Sequence, residues 1–231
     1  MTLWSKLKTG LHHPREVLMY LILGPKYYLT QAERWVAEAE RMERKIKPNN
    51  PLEAQMIKPT DIHEHLATLY MLTVELNLRT IVELGTRGGE STVALLEAAR
   101  LIGGRVYSVD IDPCLEAKAK VQTYGLQEYW TFIEGDDLKV EWEKPIDHLF
   151  VDTIHTFDRV TKELEKYEPH VKNGGVITIH DTVLYPEVSQ AIKKYIKGRR
   201  DLRLYNYFNC FGLAVIFKGV GRRLYAEEAS S

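Results

Sequence analysis

Thr80-Ile81-Val82-Glu83-Leu84-Gly85-Thr86-Arg87-Gly88-Gly89-Glu90-Ser91 is the stretch on which the fold turns. A short apolar run ends in an acid and passes through a glycine-rich turn. It then enters a segment with apolar residues at Val93, Leu95, Leu96, Ala99 and Ile102. That order reads as strand, turn and helix. Glycine lets backbone approach a ligand closely because no Cβ intervenes, and the first N–H groups of a helix lack helical partners. The stretch therefore points to a site for a nucleoside-containing cofactor. A dinucleotide site would ask for G-x-G-x-x-G. Here Arg87 stands at the second glycine position, and the pattern is Glu-x-Gly-x-x-x-Gly.

The alternation continues downstream. Strands are expected at Arg105–Val109, Trp130–Ile133, His148–Val151, Val176–Ile179, Leu202–Tyr207 and Leu213–Phe217. A helix is expected from Asp112-Pro113, with the acid as cap and proline at the first helical position. Thr156 should cap another helix, whose face is Val160, Leu164, Tyr167 and Val171; a third should run from Pro186 to Gly198. Asn173-Gly174-Gly175 reads as a turn before the fifth strand. The last two strands are too close together for a parallel crossover, so they should form an antiparallel hairpin. The fold class is α/β: a Rossmann-like, seven-stranded, mostly parallel sheet with an antiparallel C-terminal hairpin and helices on both faces.

Upstream, Thr30 and Glu33 make a capping box for a helix striped by Trp35, Val36, Ala39, Met42 and Ile46. Lys47-Pro48-Asn49-Asn50-Pro51 reads as a linker, and Asp61 with Glu64 as a second capping box for a helix reaching about Asn77. The division expected is an N-terminal helical cap over 1–60, for substrate or oligomer contacts, and the cofactor domain over 61–231. Val17–Leu23 is apolar but far too short to span a bilayer, and no small-residue cleavage site follows it.

The chain has 231 residues, enough for one domain with a full core. Its net charge of −1 favours neither nucleic acid nor an anionic membrane. Its two cysteines have no metal or disulfide spacing, which makes a reducing cytoplasm the default location.

Three strand ends carry chemistry. Asp110 ends the second strand, where a carboxylate can accept both ribose hydroxyls. Asp152 and His155 follow the fourth strand, and His180 and Asp181 end the fifth. Neighbouring strand ends bring these four to one rim, a set suited to a divalent metal, a general base, or both.

The glycine turn resembles motif I of the class I S-adenosylmethionine-dependent methyltransferases. The stretch Phe150–Thr182 reads as Asp-x-x-His-x-Phe, a helix, Asn-Gly-Gly, then His-Asp. It resembles the cation-dependent O-methyltransferases of the branch that includes macrolide-sugar and cephalosporin-biosynthesis enzymes. The resemblance implies a cofactor site of Glu83, Gly85, Thr86, Arg87, Gly89, Ser91, Asp110, Ile111, Asp136 and Asp152. Glu83 and the turn would take the methionine end, Asp110 the ribose and Asp136 the adenine. It implies metal ligation by Asp152, His180 and Asp181, with magnesium as the expected ion, and catalysis by His155 as base together with Asp152. His180 departs from the branch, whose acidic pair has a carboxylate there, and imidazole binds magnesium poorly. The lysine and Asp-Asn pair of the catechol and caffeoyl branch do not occur, so the expected acceptor is a hydroxyl of a sugar or secondary metabolite. The alternatives are a metal-free N- or O-methyltransferase and a non-catalytic binding protein on the same domain.

Overall fold

A computed structural model describes residues 48–219. The expected helix at Thr30–Ile46 and the apolar run Val17–Leu23 lie outside the described residues. Residues 48–56 belong to one compact unit with the chain from Asp61 onward.

The elements are α1 (Pro51–Met56), α2 (Leu66–Glu75), β1 (Thr80–Leu84), α3 (Glu90–Ile102), β2 (Arg105–Asp110), α4 (Leu115–Thr123) and β3 (Trp130–Glu134). There follow β4 (Ile146–Val151), α5 (Phe157–Tyr167), β5 (Val171–His180), α6 (Pro186–Ile196), β6 (Leu202–Tyr207) and β7 (Leu213–Lys218). They form one seven-stranded sheet in the order β3-β2-β1-β4-β5-β7-β6. The first five strands are parallel, and β7 pairs antiparallel with both β5 and β6. This is the expected fold class. Among the described residues, no helix is long and apolar enough to cross a membrane.

Period-two alternation along buried strands supplies a core on each face. Val82, Leu84, Leu149, Val151, Ile177 and Ile179 meet α5 and α6 through Val160, Leu164, Val188 and Ile192. Ile81, Val106, Phe150 and Val176 meet α2 and α3 through Leu66, Leu69, Val93 and Leu96. Each such fully buried side chain contributes about 1.5–3 kcal/mol relative to exposure. The strand order reverses between β1 and β4, whose carboxyl ends therefore open a crevice.

Four local expectations are corrected. The expected linker starts a helix instead: Asn50 Oδ1 accepts the N–H of Glu53 at 2.9 Å, with Pro51 at the first helical position. Among the described residues, no side chain caps the turn His63–His65 or α2. Asp61, the expected cap, is held by Arg87, whose Nη2 donates to both its oxygens at 2.7 Å. The helix expected at Asp112-Pro113 begins at Leu115, after Cys114 at φ +45°. The N–H of Asp112 is bound by Asp110 Oδ1 at 2.9 Å, which folds those residues into a turn. Asn173-Gly174-Gly175 lies inside β5 as an irregularity, where pairing with β4 jumps from Ile146↔Val171 to His148↔Val176. Gly174 takes φ +88°.

Candidate active site

The glycine turn and the tip of β4 face each other across the crevice. Gly85, Thr86, Arg87 and Ser91 line one wall, and Asp152, Thr153 and His155 the other. Gly85 adopts φ +89°, and a Cβ there would collide with the Asp152 carbonyl oxygen. That close approach brings the two walls together. Gly89 takes φ +87°, and a Cβ on it would stand 2.7 Å from Ala117 Cβ, so this glycine seats α4 against the turn. The Thr86 hydroxyl is buried and has no hydrogen-bond partner among the described residues. An orphaned hydroxyl in the wall of a crevice suits a polar ligand.

Asp110 organises the turn. Its Oδ2 accepts the N–H groups of Thr86 at 2.7 Å and Arg87 at 3.0 Å. Partial burial works against its charge, but the backbone donors of Asp112, Arg87 and Thr86 prevail and hold it below the ordinary carboxylate range. Ile111, next in sequence, is 72% exposed.

Glu83 is withdrawn from the crevice. It is fully buried, and Ser91 donates to Oε1 at 2.7 Å. Thr92 and Ser108 donate to Oε2 at 2.8 and 2.5 Å. Burial pushes its carboxyl up to about 7 despite these three donors. Glu83 does not line the crevice: β1 is covered on both faces, and this side chain ties β1 to β2 and α3.

Asp136 lies beyond β3, where Arg159 Nη2 bridges it at 2.9 Å to Asp137 at 2.7 Å. Arg159 Nε also donates to the buried Glu163 at 2.8 Å, and Thr153 donates to the same Glu163 oxygen at 2.6 Å. A continuous polar network therefore links the Asp136 loop to the crevice wall. Burial and the nearby Asp137 push Glu163 up to about 8.

The four rim residues do converge. Asp152, His155 and Asp181 each bring a donor atom to within 4.8 Å of one another. His155 Nε2 lies 2.8 Å from Asp181 Oδ2 and 3.4 Å from Asp152 Oδ1. Partial burial opposes its protonation, but the two carboxylates push the imidazole up to about 9. Burial would raise Asp152, yet His155 and His180 hold it far below the ordinary range. His180 is buried, and its Nε2 lies 3.0 Å from the Cys210 carbonyl, so Nε2–H donates there and Nδ1 faces the rim. Asp181 adopts φ +61°, a left-handed conformation that aspartate tolerates better than most residues.

Several contributors escaped the sequence reading. Ile62, Glu90 and Thr153 line the crevice. Tyr185 stacks on His155 with ring centroids 4.3 Å apart and planes 7° apart. Arg159 could have been found from its i,i+4 spacing to Glu163. Nothing in the sequence near His180 marks the Cys210 carbonyl as its partner.

Residues 82–182 match the family described as a methyltransferase domain. Solved structures share the architecture. A methyltransferase from Podospora anserina, PaMTH1, bound to S-adenosylhomocysteine (SAH), is 14% identical, with a TM-score of 0.58 over 84% of this chain and 94% of its own. The O-methyltransferase TomG of Streptomyces achromogenes, involved in tomaymycin synthesis and solved with S-adenosylmethionine, is 18% identical, with a TM-score of 0.59 over 81% and 98%. A Bacillus cereus O-methyltransferase in complex with SAH is 17% identical, with a TM-score of 0.58 over 81% and 100%. At these identities the structural likeness establishes the fold; the enzyme class rests on the family match.

Proposed function

We propose that this chain, whose residues 82–182 match a methyltransferase domain family, is a class I enzyme that moves the methyl group of S-adenosylmethionine onto a hydroxyl oxygen of a small molecule. The sugar and secondary-metabolite class is the acceptor proposed. The observation that carries the reading is the convergence of His155, Asp152 and Asp181, the first two lining a crevice whose other wall is the glycine turn.

The sulfonium methyl is already electrophilic, so the protein's work is alignment and proton removal. In this reading the turn backbone, Thr86, Arg87 and Ser91 hold the methionine end, Asp110 the ribose and Asp136 the adenine. Holding acceptor oxygen and methyl in line can supply several kcal/mol. His155 takes the acceptor proton, and Tyr185, stacked on its ring, keeps the ring plane fixed. With Asp152 and Asp181 uncompensated, His155 already carries a proton near neutrality. A divalent cation held by those carboxylates would offset their charge, favour the neutral imidazole and lower the pKa of the acceptor hydroxyl.

The test is transfer of labelled methyl from S-adenosylmethionine to a panel of sugar, phenolic and amine acceptors, with and without chelator. Label on a hydroxyl acceptor, lost with chelator and with His155→Ala, is the expected result. Label on amines alone would contradict the reading. Chelator-resistant O-methylation would contradict the part given to the cation, since His155 between two uncompensated carboxylates is raised to about 9.

A further inference from the structure

The net charge of −1 hides an uneven distribution of cations. No acid lies between Glu187 and Asp201, a span that holds Lys193, Lys194, Lys197, Arg199 and Arg200, and Arg203 follows it. Arg199 is engaged: its Nη2 donates to Glu168 at 3.1 Å and to Asp201 at 2.6 Å. The neighbouring acids are engaged as well. Lys218 lies 2.7 Å from Glu168, and Glu187 accepts the N–H of Phe157 at 2.8 Å. Among the described residues, Lys193, Lys197, Arg200 and Arg203 have neither an ion pair nor a side-chain hydrogen bond. Lys194 has only the ring of Phe157, whose centroid is 5.0 Å from its nitrogen. Elsewhere cations are matched: Arg100 with Glu97, Lys118 with Glu134, Lys120 with Glu90 and Lys172 with Asp147.

Packing puts these charges outside. Val188, Ala191 and Ile192 fill the buried face of α6, so Lys193, Lys194 and Lys197 stand on its exposed face. Gly198, at φ +80°, turns the chain toward β6, with Arg200 and Arg203 exposed on the way. Lys193 and Lys194, in the last turn of α6, already answer the helix dipole, and Lys197, Arg200 and Arg203 lie beyond it. Strand register locates the cluster. Arg203 pairs with Phe217 and Phe217 with Val176, in the first half of β5. At the other end of β5, His180 pairs with Leu213, the partner of Tyr207. The start of β6, and the end of α6 that leads into it, therefore lie at the end of the sheet away from the crevice.

We propose that the exposed cations at the end of α6 and the start of β6 dock the protein on an anionic lipid surface, with the crevice turned toward solution. Like charges gathered without counter-charges repel one another, and a cluster kept at that cost points to a partner that brings the anions. Lysine is a point charge on a flexible stem and asks for no fixed geometry, unlike the planar fork of arginine. Three lysines on a convex helix face match a mobile plane of headgroup phosphates. Tyr205, 59% exposed two residues after Arg203, suits the headgroup level, where tyrosine gathers. A nucleic-acid strand would ask for a groove lined by aromatic faces, and α6 offers a ridge. The docking role stands apart from methyl transfer, since none of these residues lines the crevice.

Full-length protein is sedimented with vesicles of phosphatidylcholine, alone or mixed with phosphatidylglycerol, over a range of salt. Binding is expected only with the anionic lipid, and it should weaken as salt rises. One cation near such a surface is worth about fivefold in affinity, so Lys193→Gln/Lys197→Gln/Arg200→Gln should bind about 100-fold more weakly. Thermal unfolding of this triple variant checks its fold. Lys118→Gln, beside β3 at the opposite edge of the sheet, should bind as the wild type does. Equal binding to both vesicles, no binding to either, or unchanged affinity in the folded triple variant would overturn the proposal. Tighter binding to a single-stranded DNA oligonucleotide than to the anionic vesicles, lost in the same variant, would overturn the lipid assignment and give the cations to nucleic acid.

Discussion

The two walls of the crevice treat their carboxylates in opposite ways. At the glycine turn every acid is provided for: Glu83 has three hydroxyl donors, and Asp110 has three backbone N–H groups. Across the crevice, at the tips of β4 and β5, Asp181 Oδ1 and His180 Nδ1 are buried without a hydrogen-bond partner among the described residues. Unsatisfied buried polar groups cost about 1–3 kcal/mol each, so a chain keeps them where a ligand completes them. The acids of one wall are therefore paired by folding, with the Thr86 hydroxyl left for a ligand, whereas the other wall leaves a carboxylate oxygen and an imidazole nitrogen open. Substitutions on the first should act through stability or cofactor affinity, and those on the second through turnover.

The sharpest break of that contrast is His155→Ala. Removing a positioned acid–base group lowers kcat by about 10²–10⁴-fold. S-adenosylmethionine affinity, measured by calorimetry, should stay unchanged; a parallel loss of affinity would place His155 on the cofactor side. Arg159→Met tests the network behind the crevice. It strands Asp136 and the buried Asp137, and should cost about 3 kcal/mol of unfolding free energy in urea, the low end for a broken buried ion pair. A cost below about 1 kcal/mol would mean the network carries little.

Glu83→Gln probes the satisfied wall through pH. The folded-state carboxyl is raised from 4.5 to about 7, so its contribution is complete below 4.5 and is lost as pH rises to about 7. The wild type should lose about 3 kcal/mol over that window relative to the glutamine variant. Urea midpoints of both proteins at pH 5 and pH 8 measure the difference, and parallel pH profiles would contradict it.

What the sequence revealed follows from range. The turn around Gly85, the seven strands and the approach of Asp152, His155, His180 and Asp181 to one another follow from patterns repeated at strand ends, and all are present in the structure. The side-chain partners of Glu83 were not legible because β1 is buried on both faces, so alternation marks no polar side, and its hydroxyl donors come from α3 and β2. Asp61 and Asp112 were read as caps because capping patterns are short, and each residue had a stronger engagement: Arg87 across the turn for one, the Asp110 carboxylate for the other. Asn173-Gly174-Gly175 looked like a turn, but strand pairing absorbed it as a bulge. The tautomer of His180 depends on a carbonyl thirty residues away in the hairpin, which no local pattern announces.

The smallest expected effect bears most directly on the site as a whole. S-adenosylmethionine titrated calorimetrically into the wild type and Asp110→Ala should bind one equivalent in the first. It should bind about 10–100-fold more weakly in the second, the worth of a hydrogen bond to a charged group. Absence of binding in the wild type, or equal affinity in the two proteins, would contradict the placement of the cofactor at this turn.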